Sequence, residues 1–211
     1  ILSWSCYLYR IALSFFFSKI AAFILTVFIV RILSQSDFGW VMYGVNYLGF
    51  FIPFVGLGSS HGLLRFATIN LDDLQNDKII KYSFSYGLML NFLVNLIMLG
   101  LALIIFGKGN QMLIVSAFSI RLLGIFLLDH AKAAIRSMHN NKMFGQLDLI
   151  YNLISLISAI MLAYYWGVNG YVFSLCFSPF VVLLFYKFKI SFDSGVFMHF
   201  TEKEFWKFSF S

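Results

Sequence analysis

The sequence predicts an all-α membrane protein with six transmembrane helices, and three observations carry that prediction. Residues 11–33, 38–57, 79–106, 112–128, 147–166 and 170–186 are almost wholly apolar, and each has or approaches the roughly 20 helical residues that cross a hydrocarbon core. Hydrophobic residues make up 61% of the 211-residue chain and charged residues only 11%, less than half the roughly 25% that keeps a soluble domain in water. The charges also fall almost entirely in alternate gaps between the apolar stretches. Hydrocarbon offers no partner to backbone polar groups, so such runs must be helices or strands of a closed barrel. Barrel strands alternate apolar and polar residues over about ten positions, and nothing here does.

The elements follow in order. Gaps one, three and five are short (residues 34–37, 107–111 and 167–169), so spans 1–2, 3–4 and 5–6 read as antiparallel hairpins. The second and fourth gaps are longer, and residues 65–78 and 129–146 have room to continue the helices beyond the bilayer. In span 2, Pro53 lacks an N–H and crowds the carbonyl of Gly49, so the helix is expected to bend there. Gly56 and Gly58 follow directly, which makes Pro53 and Gly56 the candidate hinge. Asp37 stands ready to cap span 2, and Gly39 suits a tight turn at its start. Arg31 closes span 1, where its charge favours the helix C-terminus.

Orientation comes from the bases. Of the 15 Lys and Arg residues, eleven lie on the side of the chain ends and even gaps, while Arg31 and Lys108 alone lie on the side of the odd gaps. Lys19 and Arg121 fall within spans. Cytoplasmic loops concentrate Lys and Arg near span ends, so both ends of the chain are expected in the cytoplasm.

Polar groups inside spans are the candidate functional residues, because ionisable groups in hydrocarbon are costly. Helical spacing sorts them. Lys19, Ala22 and Thr26 share one face of span 1. Arg121, Lys132 and Arg136 form a basic ladder running along the fourth span to its end, and Asp148, Asn152 and Ser155 form a stripe on the fifth. Asn91 and Asn95 are one turn apart on the third. Two readings of these groups stand side by side. Small and amide side chains hold helices together in membranes, and Asp148 can be solvated or pair with Arg121 or Lys142. Alternatively Lys19, Arg65, Arg121, Arg136, Asp148 and Asn152 line a cavity that is positive in its middle, which suits a phosphorylated or otherwise acidic ligand.

Other chemistries find no footing. Cys6 and Cys176 lie in or beside apolar spans and read as small buried hydrophobes rather than a disulfide framework. His61, His130, His139 and His199 make no metal-ligand spacing, so no metal and no cofactor is expected. There is no phosphate-binding glycine loop, no catalytic set and no cleavable signal sequence, so a transporter rather than an enzyme is indicated. The net charge of +6 is spread over helix ends rather than one soluble face, which excludes nucleic acid as the expected partner. The chain opens on Ile1 and closes as a new apolar run begins at Phe208, so it reads as the N-terminal part of a longer protein.

One block is more specific than membrane composition. Arg31-Ile-Leu-Ser-Gln-Ser-Asp37-Phe38-Gly39, followed by an apolar helix, Gly56-Leu57-Gly58 and Arg65, resembles the polysaccharide-export and O-antigen flippase family of the multidrug/oligosaccharidyl-lipid/polysaccharide exporter superfamily. The loop 131–136, the glycines 167 and 170, and the segment 201–208 fit the same family more loosely. The block itself reads as a folding signature before a substrate site.

The resemblance implies a fold of two six-helix lobes around a central cavity, akin to multidrug exporters. Residues 1–190 would be the first lobe, and 191–211 a cytoplasmic linker with the start of helix 7. It implies a multi-pass protein of the bacterial inner membrane that translocates undecaprenyl-diphosphate-linked oligosaccharide by alternating access. Its partners would be that lipid-linked oligosaccharide, membrane lipids, a glycan polymerase and a chain-length regulator. The alternatives are a multidrug or other lipid-precursor exporter of the same superfamily, a membrane-bound glycan polymerase, or a membrane subunit that does not transport.

Overall fold

The computed structural model describes residues 16, 19–67, 73–107, 110–138, 140–185 and 205–206. Among these the chain is helical, with no strand. Helix α1 covers residues 19–32. It is followed by α2 (Gln35–Phe51), a 3₁₀ segment (Ile52–Gly58), α3 (Ser59–Ala67), α4 (Asp73–Phe106), α5 (Asn110–Ser137) and α6 (Asn141–Phe185). Four stretches are long and apolar enough to cross a membrane: Gln35–Phe66, Asp77–Phe106, Ile114–Ser137 and Asn141–Leu184. Most of the expected linker 191–211 lies outside the described residues, as do Arg10, Cys6, Lys108, His139 and His199.

Helix α2 begins earlier than the sequence suggested, and a different residue caps it. Ser34 is the N-cap, and its Oγ accepts from the Asp37 N–H at 3.2 Å. Asp37 therefore sits in the first turn, where its charge favours the helix N-terminus. Gly39 is an ordinary exposed helical residue with open space where a Cβ would stand, so the turn it was expected to permit is made by Leu33 and Ser34 instead.

The expected bend in this helix is centred just past Pro53. Val55 is extended (ψ 118°), and Gly56, Leu57 and Gly58 all have positive φ (55°, 45° and 77°). Leu57 bears a side chain in that left-handed region, which costs about 1–3 kcal/mol. Gly56 is buried against Phe126 of α5, and an added Cβ would lie 2.7 Å from its ring. The helix then resumes as α3, which extends it to Ala67.

Helix α6 doubles back on itself. Gly167 has φ 58° and ψ −136°, outside helical space. Ser158 Oγ and Ser174 Oγ are 2.9 Å apart, whereas sixteen residues of straight helix would separate them by about 24 Å. The two arms on either side of Gly167 thus form a hairpin. Asn140 starts the first arm by accepting from the Met143 N–H at 3.1 Å.

Helix α5 is the axis of the assembly. Phe118, Leu122, Phe126 and His130 are fully buried along it. Phe118 joins a core with Ile29, Val41, Leu48, Met98 and Leu175. Tyr47 of α2 donates to the Met98 carbonyl of α4 at 2.7 Å, and Cys176 Sγ of α6 donates to the Ala117 carbonyl of α5 at 3.1 Å. Helix α4, by contrast, exposes Phe92, Leu93, Leu96, Ile97, Ile104 and Ile105. An apolar face that wide is the kind that hydrocarbon covers. The continuation of α5 to Ser137 and of α2 through α3 to Ala67 matches the helix extensions expected of the long gaps.

At the end of the bundle formed by α3 and the start of α4, Phe205 packs against Phe66 and Tyr82 (ring centroids 5.7 and 5.6 Å apart). Trp206 Nε1 donates to the Tyr82 hydroxyl at 3.1 Å.

Candidate functional site: two cavities along helix α5

Two cavities lie along α5, at different heights. The first, about 380 Å³, is formed by α1 (Ala22, Thr26), α2 (Met42, Val45), α5 (Arg121) and both arms of α6 (Asn152, Ser155, Tyr171). The helical faces read from sequence converge here: the Ala22–Thr26 face of α1 and the Asn152–Ser155 stripe of α6 look toward Arg121. Among the described residues, Arg121 supplies the only charge in the lining. Its Nη1 donates to the Leu175 carbonyl at 2.7 Å, and among the described residues it forms no ion pair. A carbonyl satisfies one of the five guanidinium donors and none of its charge. Lys19 sits one turn before Ala22 on the same face of α1 and is exposed.

The second cavity, about 410 Å³, is lined by Pro53, Val55 and Gly58 at the helix break, His61 and Leu64 of α3, Asp129, Lys132 and Arg136 of α5, and Phe144 of α6. Its charges are of both signs. Arg136 lies over the Phe144 ring, 5.1 Å from the centroid. Arg65 is exposed in the last turn of α3, next to the lining residue Leu64. Gly56 sits behind this cavity, against Phe126.

Asp148 stands between the two. Its Oδ1 accepts from Lys132 Nζ at 2.6 Å, with the side chains 17% and 18% exposed. Of the partners considered for it from sequence, Arg121 and Lys142, neither forms this bond. Lys132 does, from a position eleven residues along α5 from Arg121. The same Nζ lies 5.5 Å from the Tyr151 ring centroid, and Asn152 Nδ2 donates to the Asp148 carbonyl at 2.7 Å and lies 3.4 Å from Oδ2.

The candidates thus separate by place. Arg121 and Asn152 share the first cavity, Arg136 and Pro53 share the second, and Asp148 bridges. Lys19 and Arg65 lie near these cavities without lining them. Arg31 is exposed at the end of α1, and Phe38 packs against the main core, so the signature block builds the α1–α2 corner away from both cavities.

Sequence reading missed Lys132 as a partner of Asp148, Tyr151 as the ring beside Lys132, and Tyr171 as cavity lining. For Tyr151 the signal was present: it follows Asp148 by three residues, on the same helical face. For Tyr171 the signal was the reversal at Gly167, which brings Tyr171 and Leu175 into one cavity lining with Asn152 and Leu156. Other buried polar groups serve the core. His130 is packed between Phe84 and Phe126 (ring centroids 5.1 and 6.0 Å), and Asn91 is fully buried on α4. Among the described residues no cluster of His, Cys, Asp or Glu has the makings of a metal site.

Compared with protein-family models, with curated proteins and with solved structures, the chain matches none.

Proposed function

We propose that this chain is the six-helix first lobe of an exporter that moves an anionic, lipid-linked substrate across the bilayer. The substrate class we assign is undecaprenyl-diphosphate-linked oligosaccharide, translocated by alternating access with the polyprenyl tail left in lipid. The observation that carries this reading is Arg121: a guanidinium within a membrane-length helix, facing a cavity whose lining, among the described residues, holds no acid. An uncompensated cation in a low-dielectric cavity attracts an anion, and a guanidinium matches phosphate oxygens two at a time. Asn152, Ser155, Thr26 and Tyr171 supply hydrogen-bonding groups of the kind sugars use. A cationic drug would need the opposite charge in that place, which favours the glycan-lipid reading over a multidrug exporter.

In this reading all six apolar stretches span, with α1 the first and the two arms of α6 the fifth and sixth. The ends of the chain and the α5–α6 connection are cytoplasmic, and the protein belongs to the bacterial inner membrane beside a glycan polymerase and a chain-length regulator. The chain works as a transporter and carries out no bond chemistry. The flexible element is the stretch from Pro53 to Gly58.

The test is complementation of a strain lacking its O-antigen flippase by the gene product that carries this chain, read as lipopolysaccharide ladders on a gel. Restored ladders are expected. Absent ladders, with the protein shown to be in the membrane and a drug-sensitivity panel shifted toward resistance, would replace the glycan-lipid reading with drug export.

A further inference from the structure

The two cavities are divided by very little. On one side Lys132 lines the cavity of Pro53 and Arg136. On the other, Tyr151 and Asn152 line the cavity of Arg121. Between them stands the chain of contacts Lys132–Asp148–Asn152, with Tyr151 against the lysine. The central link is an ion pair largely withdrawn from solvent, so it is strong only while both partners are present.

Lys132 also has a second acid at hand. Asp129 lies three residues earlier on α5 and lines the same cavity as Lys132, which is the spacing at which helical side chains meet. The ammonium can therefore leave Asp148 without being stranded. It exchanges an acid on α6 for one on its own helix, and the tie between α5 and α6 at this height is released.

We propose that the Lys132–Asp148 pair is a gate between the two cavities. With Lys132 on Asp148 the partition is closed. With Lys132 on Asp129 the cavities join into one passage along α5, from Arg121 to Arg136. The rise from Arg121 to Lys132 is about 16 Å, roughly half the thickness of a bilayer core. A group held at Arg121 is thus out of contact with Lys132 and must pass the partition to reach the second cavity. The gate does not depend on which solute uses the passage, and its test reads access rather than transport.

The experiment uses the whole gene product in membrane vesicles, with Cys6→Ser, Cys176→Ala and every cysteine outside residues 1–211 replaced by serine, to remove the native thiols. Ser155→Cys reports on the Arg121 cavity and His61→Cys on the other. A membrane-impermeant thiol reagent is applied from the side bearing the α5–α6 connection, which is identified by labelling Lys142→Cys. The closed partition makes Ser155→Cys label more slowly than His61→Cys. The doubly neutral variant K132Q/D148N, which strands no charge, raises the Ser155→Cys rate about ten-fold, as expected if the open form is otherwise a minor state of about 10% or less. The charge-swapped variant K132D/D148K returns it to the slow rate. In both variants His61→Cys keeps its original rate, which shows the fold intact. A Ser155→Cys rate in K132Q/D148N equal to that with the native pair would overturn the gate, as would a charge-swapped variant that labels as fast as the neutral one.

Discussion

The two cavities share helix α5 and differ in how their charges are balanced. Around Arg121 one cation faces Thr26, Asn152, Ser155 and Tyr171, with no acid in the lining among the described residues. Around Lys132 the cations meet acids: Asp148 at 2.6 Å and Asp129 on the same wall. The difference separates two uses of a buried base. A base without an acid keeps its field for something that arrives from outside, whereas a base with two acids within reach is suited to changing partners. It also explains why one ladder read from sequence resolves into two cavities in the fold.

Removing the unpaired cation has the largest expected effect on function. R121A should abolish surface-glycan display while membrane insertion stays normal, and R121K should retain a part of it, because a point charge replaces a bidentate one. Thermal unfolding in detergent should respond in the opposite sense. Losing Arg121 removes a charge that lacks an acid, so stability should change by no more than about 1 kcal/mol. K132A, in contrast, takes the ammonium away from a largely buried carboxylate and should cost about 3 kcal/mol. If R121A destabilised as much as K132A, the two bases would be equivalent structural groups and the comparison would collapse.

Two glycine substitutions give a second contrast within one helix. G56A places a Cβ at positive φ and 2.7 Å from Phe126, and should cost about 1–3 kcal/mol. G39A meets open space on a helical backbone and should stabilise by about 0.5–1 kcal/mol. Equal effects would mean that the break near Pro53 is not a fixed feature of the fold. Orientation has its own check: a reporter fused after Lys108 should be periplasmic and one fused after Lys142 cytoplasmic, and the reverse would invert every inside and outside assignment.

Much of this was legible in the sequence because apolar length and helical period act locally. The Asn152–Ser155 stripe, the Ala22–Thr26 face and the break beside Pro53 each follow from spacing along one helix. What stayed hidden depends on contacts between helices. Along α5 Lys132 differs from Arg121 in having Asp129 three residues away; which of the two bases meets Asp148 is decided by the first arm of α6. The cap of α2 was misjudged for a related reason. Ser34 and Asp37 are both good caps, and the choice depends on where α1 ends, which packing at Leu33 decides. The hairpin at Gly167 was read from the short fifth gap, but its register, which sets Tyr171 and Leu175 beside Arg121, depends on packing between its arms.

The central claim is that Arg121 takes an anion into an acid-free cavity, and binding tests it most directly. The purified gene product in detergent should bind a short polyprenyl diphosphate, measured by titration calorimetry, and should ignore the matching polyprenol. R121A should weaken that binding at least about ten-fold, equivalent to the 1.4 kcal/mol or more expected of a charge-assisted contact. Equal affinity of R121A and the unaltered protein for the diphosphate would contradict the account.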